Sequence, residues 1–239
     1  MLISPAMNAA LREVRFDEGC PLDPAGAAHA RTAAGVLPRA GRALVSPTVR
    51  CRQTAAALGL DADDASELAG LDMGRWRGRT LDEVAAAEPE AVARWLTDPA
   101  SAPHGGESVH ELCERVAAWL DEAAHFPGRT VAVVEPEVVR AATVRVLGAP
   151  EPAFWRIDVA PLRVAEFSGR ADRWNLALGR PVERAGEGGD RDGDGDRDRD
   201  RDRDGDGDRD QGHDHDHDHD GDGDRGADRS GSGCGCGCG

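Results

Sequence analysis

The chain has 239 residues and a formal net charge of −16 at pH 7, spread unevenly. From Gly186 onward 18 Asp and one Glu face eight Arg, a net of −11, which leaves −5 for residues 1–185. That balance offers no basic patch to nucleic acid or to an anionic membrane. No run of about 18 apolar residues predicts a transmembrane span, and no cationic segment precedes the apolar stretch at residues 1–11 to make a signal peptide. The expectation is a cytoplasmic protein.

Residues 1–184 are rich in Ala, Val and Leu and are long enough for one domain with a sizeable core. A minimal apolar strand occupies residues 1–4. Asp23 with Pro24 supplies an N-cap and a first helical position, which predicts a helix to about residue 36. A second buried strand is read at 43–46, followed at once by Pro47 and a helix to about 58. Short helices are expected at 80–87 and 90–96. Ser108 and Glu111 form a capping box that opens a helix with Leu112, Val116, Trp119 and Leu120 as its apolar stripe. A third strand runs over 130–135 into a helix at 137–147, and residues 155–168 and 174–178 alternate like closing strands, the first interrupted at Pro161. Strands alternating with helices predict an α/β fold with three layers, a mostly parallel central sheet flanked by helices. Cys20, Cys51 and Cys113 stand singly and read as buried thiols.

Residues 185–239 are different material. Asp-Arg and Asp-Gly dipeptides repeat, and His213, His215, His217 and His219 alternate with Asp. Cys234, Cys236 and Cys238 alternate with Gly. This segment has no apolar area to bury against its ordering entropy, so it is expected to be a disordered tail. In an extended chain the four histidines project to one side. Imidazole suits Zn, Ni, Co and Cu, and the interleaved Asp supplies charge and oxygen contacts. The tail is therefore expected to bind a divalent transition metal.

Four stretches in order resemble the histidine phosphatase superfamily, with its phosphoglycerate mutase-like fold. PLDPAG (21–26) looks like the opening of that family's first large helix, and SPTVRCRQTA (46–55) like its phosphate-site helix. LDMGRWRGRT (71–80) looks like its glycine-tryptophan loop, and GGES (105–108) like the loop before its long helix. The resemblance implies phosphatase or mutase chemistry through a histidine that ends the first strand. Here Leu2-Ile3 runs into Ser4-Pro5, so the nucleophile's place falls on Pro5. The second histidine's place falls on Glu135, with Pro136 and Glu137 where glycines would follow, and the acid's place falls on Gly70. Of the phosphate pocket, Arg50 remains.

Proline has no nucleophilic atom, so residue 5 cannot take a phosphoryl group. Glu135 facing Arg50 would make an internal ion pair where the resemblance puts the phosphate. The candidate pocket is Ser4, Arg50, Glu135 and His104, the last placed by its position just before the GGES loop. His29, His110 and His125 read as surface or packing residues, the five Trp as core or pocket wall, and Glu137 first of all as a solvated strand end. Two functions compete. One is a catalytically inactive pseudoenzyme carrying a metal-binding tail, taking a small phosphorylated or anionic ligand or none. The other is an active phosphatase or hydrolase with an altered site built on Arg50 and Glu135. Because the family includes phosphatases of cobalamin assembly, the resemblance adds cobalt to nickel and zinc as the tail's metal.

Overall fold

The computed structural model describes residues 1–170 and 173–182. The whole His/Asp/Cys tail, with His213, His215, His217, His219, Cys234, Cys236 and Cys238, lies outside the described residues. The described strands form a six-stranded sheet in the order β3-β2-β4-β1-β5-β6. They are β1 (Leu2–Ile3), β2 (Arg42–Val45), β3 (Asp63–Asp64), β4 (Thr130–Val133), β5 (Arg163–Arg170) and β6 (Arg173–Pro181). β3, β2, β4 and β1 are mutually parallel; β5 pairs antiparallel with β1, and β6 antiparallel with β5.

The central strands are apolar without alternation because both faces are covered. In the segment that forms β4, Val131 and Val133 pack with Ile3, Val45, Cys51 and Ala55 on one side of the sheet. Ala132 and Val134 point the other way, into a core with Leu2, Leu44, Leu112, Val116, Val138 and Phe154. Around the sheet stand α1 (Ala9–Arg12), α2 (Pro24–Thr32), α3 (Val49–Ala57), α4 (Leu81–Ala87), α5 (Pro89–Thr97), α6 (Val109–Ala123) and α7 (Pro136–Leu147). No helix among the described residues is long and apolar enough to cross a membrane.

The caps fall where local chemistry places them. Asp23 accepts the Gly26 N–H at 2.6 Å, with Pro24 at the first helical position. Thr80 with Glu83 and Ser108 with Glu111 both close capping boxes. α7 starts on Pro136 and stops at Gly148, whose φ of 58° is the left-handed conformation that a β-carbon disfavours.

Three expectations need correction. The first large helix ends at Thr32 and not near residue 36, because Ala33 caps it and the chain turns through Gly35 at φ 79°. The third strand stops at Val133, and Glu135 serves as the N-cap position of α7. Residues 151–156 form a 3-10 turn, not the start of a closing strand. Trp155 is drawn from any strand by its packing on Trp95, ring centroids 4.3 Å apart, and β5 begins only after Pro161 and Leu162 turn the chain. The short elements α1 and β3, and the 3-10 turns at Ser66–Leu68 and Gly74–Trp76, have no periodic signal in the sequence.

Candidate functional site

Parallel register brings the carboxyl ends of three strands together. Ile3 pairs with Val133 and Val45 pairs with the same Val133, so residues 5, 47 and 135 follow two positions beyond one line across the sheet. Ligand sites of open α/β sheets lie at this edge. A groove of roughly 480 Å³ opens here, bordered by Arg50, Gly70, Glu135 and Glu137 and walled by Phe16, Trp95 and Trp155.

At its base Glu135 is clamped. Arg50 on α3 donates from Nε to Glu135 Oε2 at 2.8 Å and to Oε1 at 3.1 Å, and from Nη2 to Oε2 as well. Thr48 Oγ1 donates to Oε1 at 2.7 Å while accepting the Cys51 N–H as the N-cap of α3. The Cys51 thiol reaches the same oxygen at 3.5 Å. Glu135 therefore spends its carboxylate on the arginine and leaves α7 without a side-chain cap. Burial alone would weaken the Arg50 guanidinium's hold on its proton. The charge and hydrogen bonds of Glu135 more than restore it, so the net shift is upward. Burial first, and then the Glu135 charge, push the Cys51 thiol well above its ordinary range.

Gly70 stands against the other side of the same carboxylate. A β-carbon there would lie 2.9 Å from Glu135 Cγ, closer than unbonded carbons approach. A side chain at 70 and the clamped Glu135 exclude each other. Glu137, half-buried one position into α7 from Pro136, has its carboxyl pushed up by burial and then by Glu135.

The structure thus brings together Arg50, Glu135 and Gly70, but not Ser4 or His104. Ser4 is fully buried, and its hydroxyl donates to Ala160 O at 2.6 Å and accepts the Arg163 N–H at 3.0 Å. It joins β1 to the chain entering β5 and does not line the groove. Pro5, which follows it, is also buried. His104 is 1% exposed and sits behind the groove wall, its ring 5.1 Å from Trp76 and 6.4 Å from Trp95. Its Nδ1 accepts the Gly106 N–H at 3.1 Å, and burial lowers its pKa, so it is a neutral core imidazole. The loops at 72–75 and 104–107 clasp backbone to backbone there, with Arg75 N–H to His104 O at 3.0 Å and Glu107 N–H to Asp72 O at 2.9 Å. A β-carbon on Gly106 would come within 2.0 Å of Asp72 O, which is why that loop pair needs its glycines. Thr48 and Phe16 are the site residues the sequence concealed, since their partners lie far away along the chain, whereas Trp95 and Trp155 stand in the wall.

The histidine phosphatase superfamily profile (branch 1) matches residues 6–179. The chain belongs to that superfamily. Among curated relatives, a protein of Mycobacterium tuberculosis described as bifunctional is 36% identical over 146 residues, 56% of this chain and 40% of that protein. The chain thus spans about two fifths of the length of the first relatives it matches. Glucosyl-3-phosphoglycerate phosphatase of Mycolicibacterium vanbaalenii is 31% identical over 189 residues, 64% of this chain and 82% of that enzyme. The histidine phosphatase fold is shared with a mycobacterial glucosyl-3-phosphoglycerate phosphatase solved with VO3, at TM-score 0.66 and 24% identity over 74% of this chain and 96% of that one. It is shared equally with the α-ribazole phosphatase of Shigella flexneri, at TM-score 0.66 and 20% identity over 76% and 96% of the two chains.

Proposed function

We propose that this histidine phosphatase-family protein is a pseudoenzyme: a binding module with a silent phosphate site, carrying a metal-binding tail. The observation that supports it most is the clamp of Glu135 on Arg50. Phosphoryl transfer depends on cationic and neutral donors gathered around the transferred group. Here the Arg50 donors aimed at the pocket are taken by a carboxylate fixed within the protein. A phosphate would have to displace Glu135 and then sit beside its negative charge. Pro5, in the place of the nucleophile, has no atom that could carry the phosphoryl group. The same pair weighs against the anionic ligand that a lone Arg50 would invite. It also weighs against a hydrolase built on Arg50 and Glu135, because the two charges are held against each other, with Thr48 Oγ1 donating to the same carboxylate.

Hydrolysis of 1-naphthyl phosphate tests this reading. The wild-type protein should turn it over no faster than its Arg50→Ala variant and should form no acid-labile phosphohistidine. Turnover that Arg50→Ala or Glu135→Ala abolishes would establish an active hydrolase instead.

The metal reading rests on the tail. Among the described residues no group of three or more His, Cys, Asp or Glu could hold a metal ion. His213, His215, His217 and His219 would supply imidazole nitrogen, with Cys234, Cys236 and Cys238 adding thiolates under reducing conditions. Imidazole nitrogen at every second position suits several divalent metals, so Zn, Ni and Co should all bind and Cu(II) tightest. Equilibrium dialysis of the full chain against its variant with all four histidines replaced by Ala checks this. Equal metal content in the two would leave the row as a solvated tail.

A further inference from the structure

The groove that Glu135 closes to phosphate remains a groove, and its remaining walls have a chemistry of their own. Phe16 and Trp155 are half-buried rings on its wall, with Trp95 packed edge-on between them at 5.8 and 4.3 Å. Aromatic faces attract cations through their quadrupoles and repel anions.

The charged side chains of the groove sort in the same direction. Each of the arginines lining it is already committed. Arg50 is held by Glu135. Arg15 donates from Nε to Glu13 at 3.1 Å and from Nη1 to Gly78 O. Arg77 lies 3.4 Å from Asp72. Arg140 donates from Nε to Ile157 O at 2.8 Å, its guanidinium carbon 5.7 Å from the Phe154 ring centroid. Of the acids, Asp17 accepts the Cys20 N–H at 3.0 Å, Glu18 is exposed to solvent, and Glu135 is clamped. Glu137 differs: among the described residues its carboxylate accepts only from its own backbone N–H, with the Arg50 and Arg140 charges nearby, although it borders the groove and is half-buried.

We propose that the groove binds a small organic cation, an amine or amidine on an apolar or aromatic body, with Glu137 receiving the charge and Phe16 and Trp155 the body. A cavity of roughly 480 Å³ suits a ligand of that size. The exposed apolar residues Leu11 and Val49 at the rim, 39% and 38% accessible, extend the surface on which the body rests. The proposal rests on the reading that the phosphate position is closed, and it is tested apart from that reading.

The probes are 1-naphthylmethylamine, 1-naphthylmethanol and 1-naphthyl phosphate, which share one ring system and differ in charge. They are titrated by calorimetry into the full chain at pH 7.5. The amine should bind about tenfold more tightly than the alcohol, a single well-placed charge contact, and the phosphate most weakly. Glu137→Gln should bring the amine to within about threefold of the alcohol and leave the alcohol's affinity unchanged. Equal binding of amine and alcohol, no binding of any probe, or an amine preference that survives Glu137→Gln would each overturn the proposal. The wild-type ranking decides the matter even if the variant fails to fold. Hydrolysis of the naphthyl phosphate would instead overturn the silent-site reading, so the two failures are distinguishable.

Discussion

Removing Glu135 should both destabilise the domain and reopen its anion site. The Arg50 and Glu135 side chains are 7% and 6% exposed, and among the described residues Arg50 has no other acid in salt-bridge contact. Glu135→Ala leaves a guanidinium desolvated with only the more distant Glu137 charge to offset it, and breaking comparable buried pairs costs on the order of 3–5 kcal/mol. For a domain of this size that lowers the melting temperature by roughly 6–20 °C. Thr48 Oγ1 also loses its acceptor, which places the loss toward the upper end. An anion able to occupy the vacated position should restore much of this. Inorganic phosphate at about 100 times its dissociation constant returns about 2.7 kcal/mol by mass action. The assay is differential scanning fluorimetry of wild type and variant, with and without phosphate at constant ionic strength. Phosphate should raise the variant's melting temperature and not the wild type's. A variant that melts within about 2 °C of wild type would refute the buried-pair argument. A wild type that gains as much from phosphate as the variant would refute the closure of the site.

Gly70→Ala should cost about 1–3 kcal/mol by chemical denaturation, because the new β-carbon strikes Glu135 Cγ and the clamp cannot yield freely. In a Glu135→Ala background that cost should largely vanish, and a full cost in both would place its cause elsewhere. Glu137→Gln should stabilise the protein near neutral pH. The folded-state pKa of Glu137 is raised by burial and by Glu135, so its ionisation opposes folding as pH rises through that value. The gain should fade as pH falls toward the unfolded value of about 4.3, and denaturation curves that gain nothing at pH 8 would remove the argument. Metal uptake by the tail should fall steeply below about pH 6, as imidazoles of pKa ~6.5 protonate and lose their lone pairs. Uptake unchanged at pH 5 would point to the carboxylates instead.

Local chemistry was sufficient for much of this protein. Asp23-Pro24, the Ser108/Glu111 box and the unbroken apolar run at residues 131–134 each name their element, because a cap or a doubly buried strand is decided by residues within a few positions of one another. Four short motifs in order were enough to place the chain in its superfamily and to single out Arg50, Glu135 and Gly70. What lay beyond the sequence was reach. Ser4 reads as a pocket residue until β5 is seen to take its hydroxyl, and His104 until Trp76 and Trp95 enclose it. Residues 155–168 alternate like a strand interrupted at Pro161, but Trp155 belongs to a 3-10 turn in which its ring packs on Trp95. That Thr48 reinforces the clamp, and that Gly70 can carry no side chain beside it, follows only from parallel pairing across β1, β2 and β4. Composition and spacing record which groups a chain owns. Which of them meet is settled by contacts between residues 65 to 156 positions apart, and such contacts exist only once the sheet has formed.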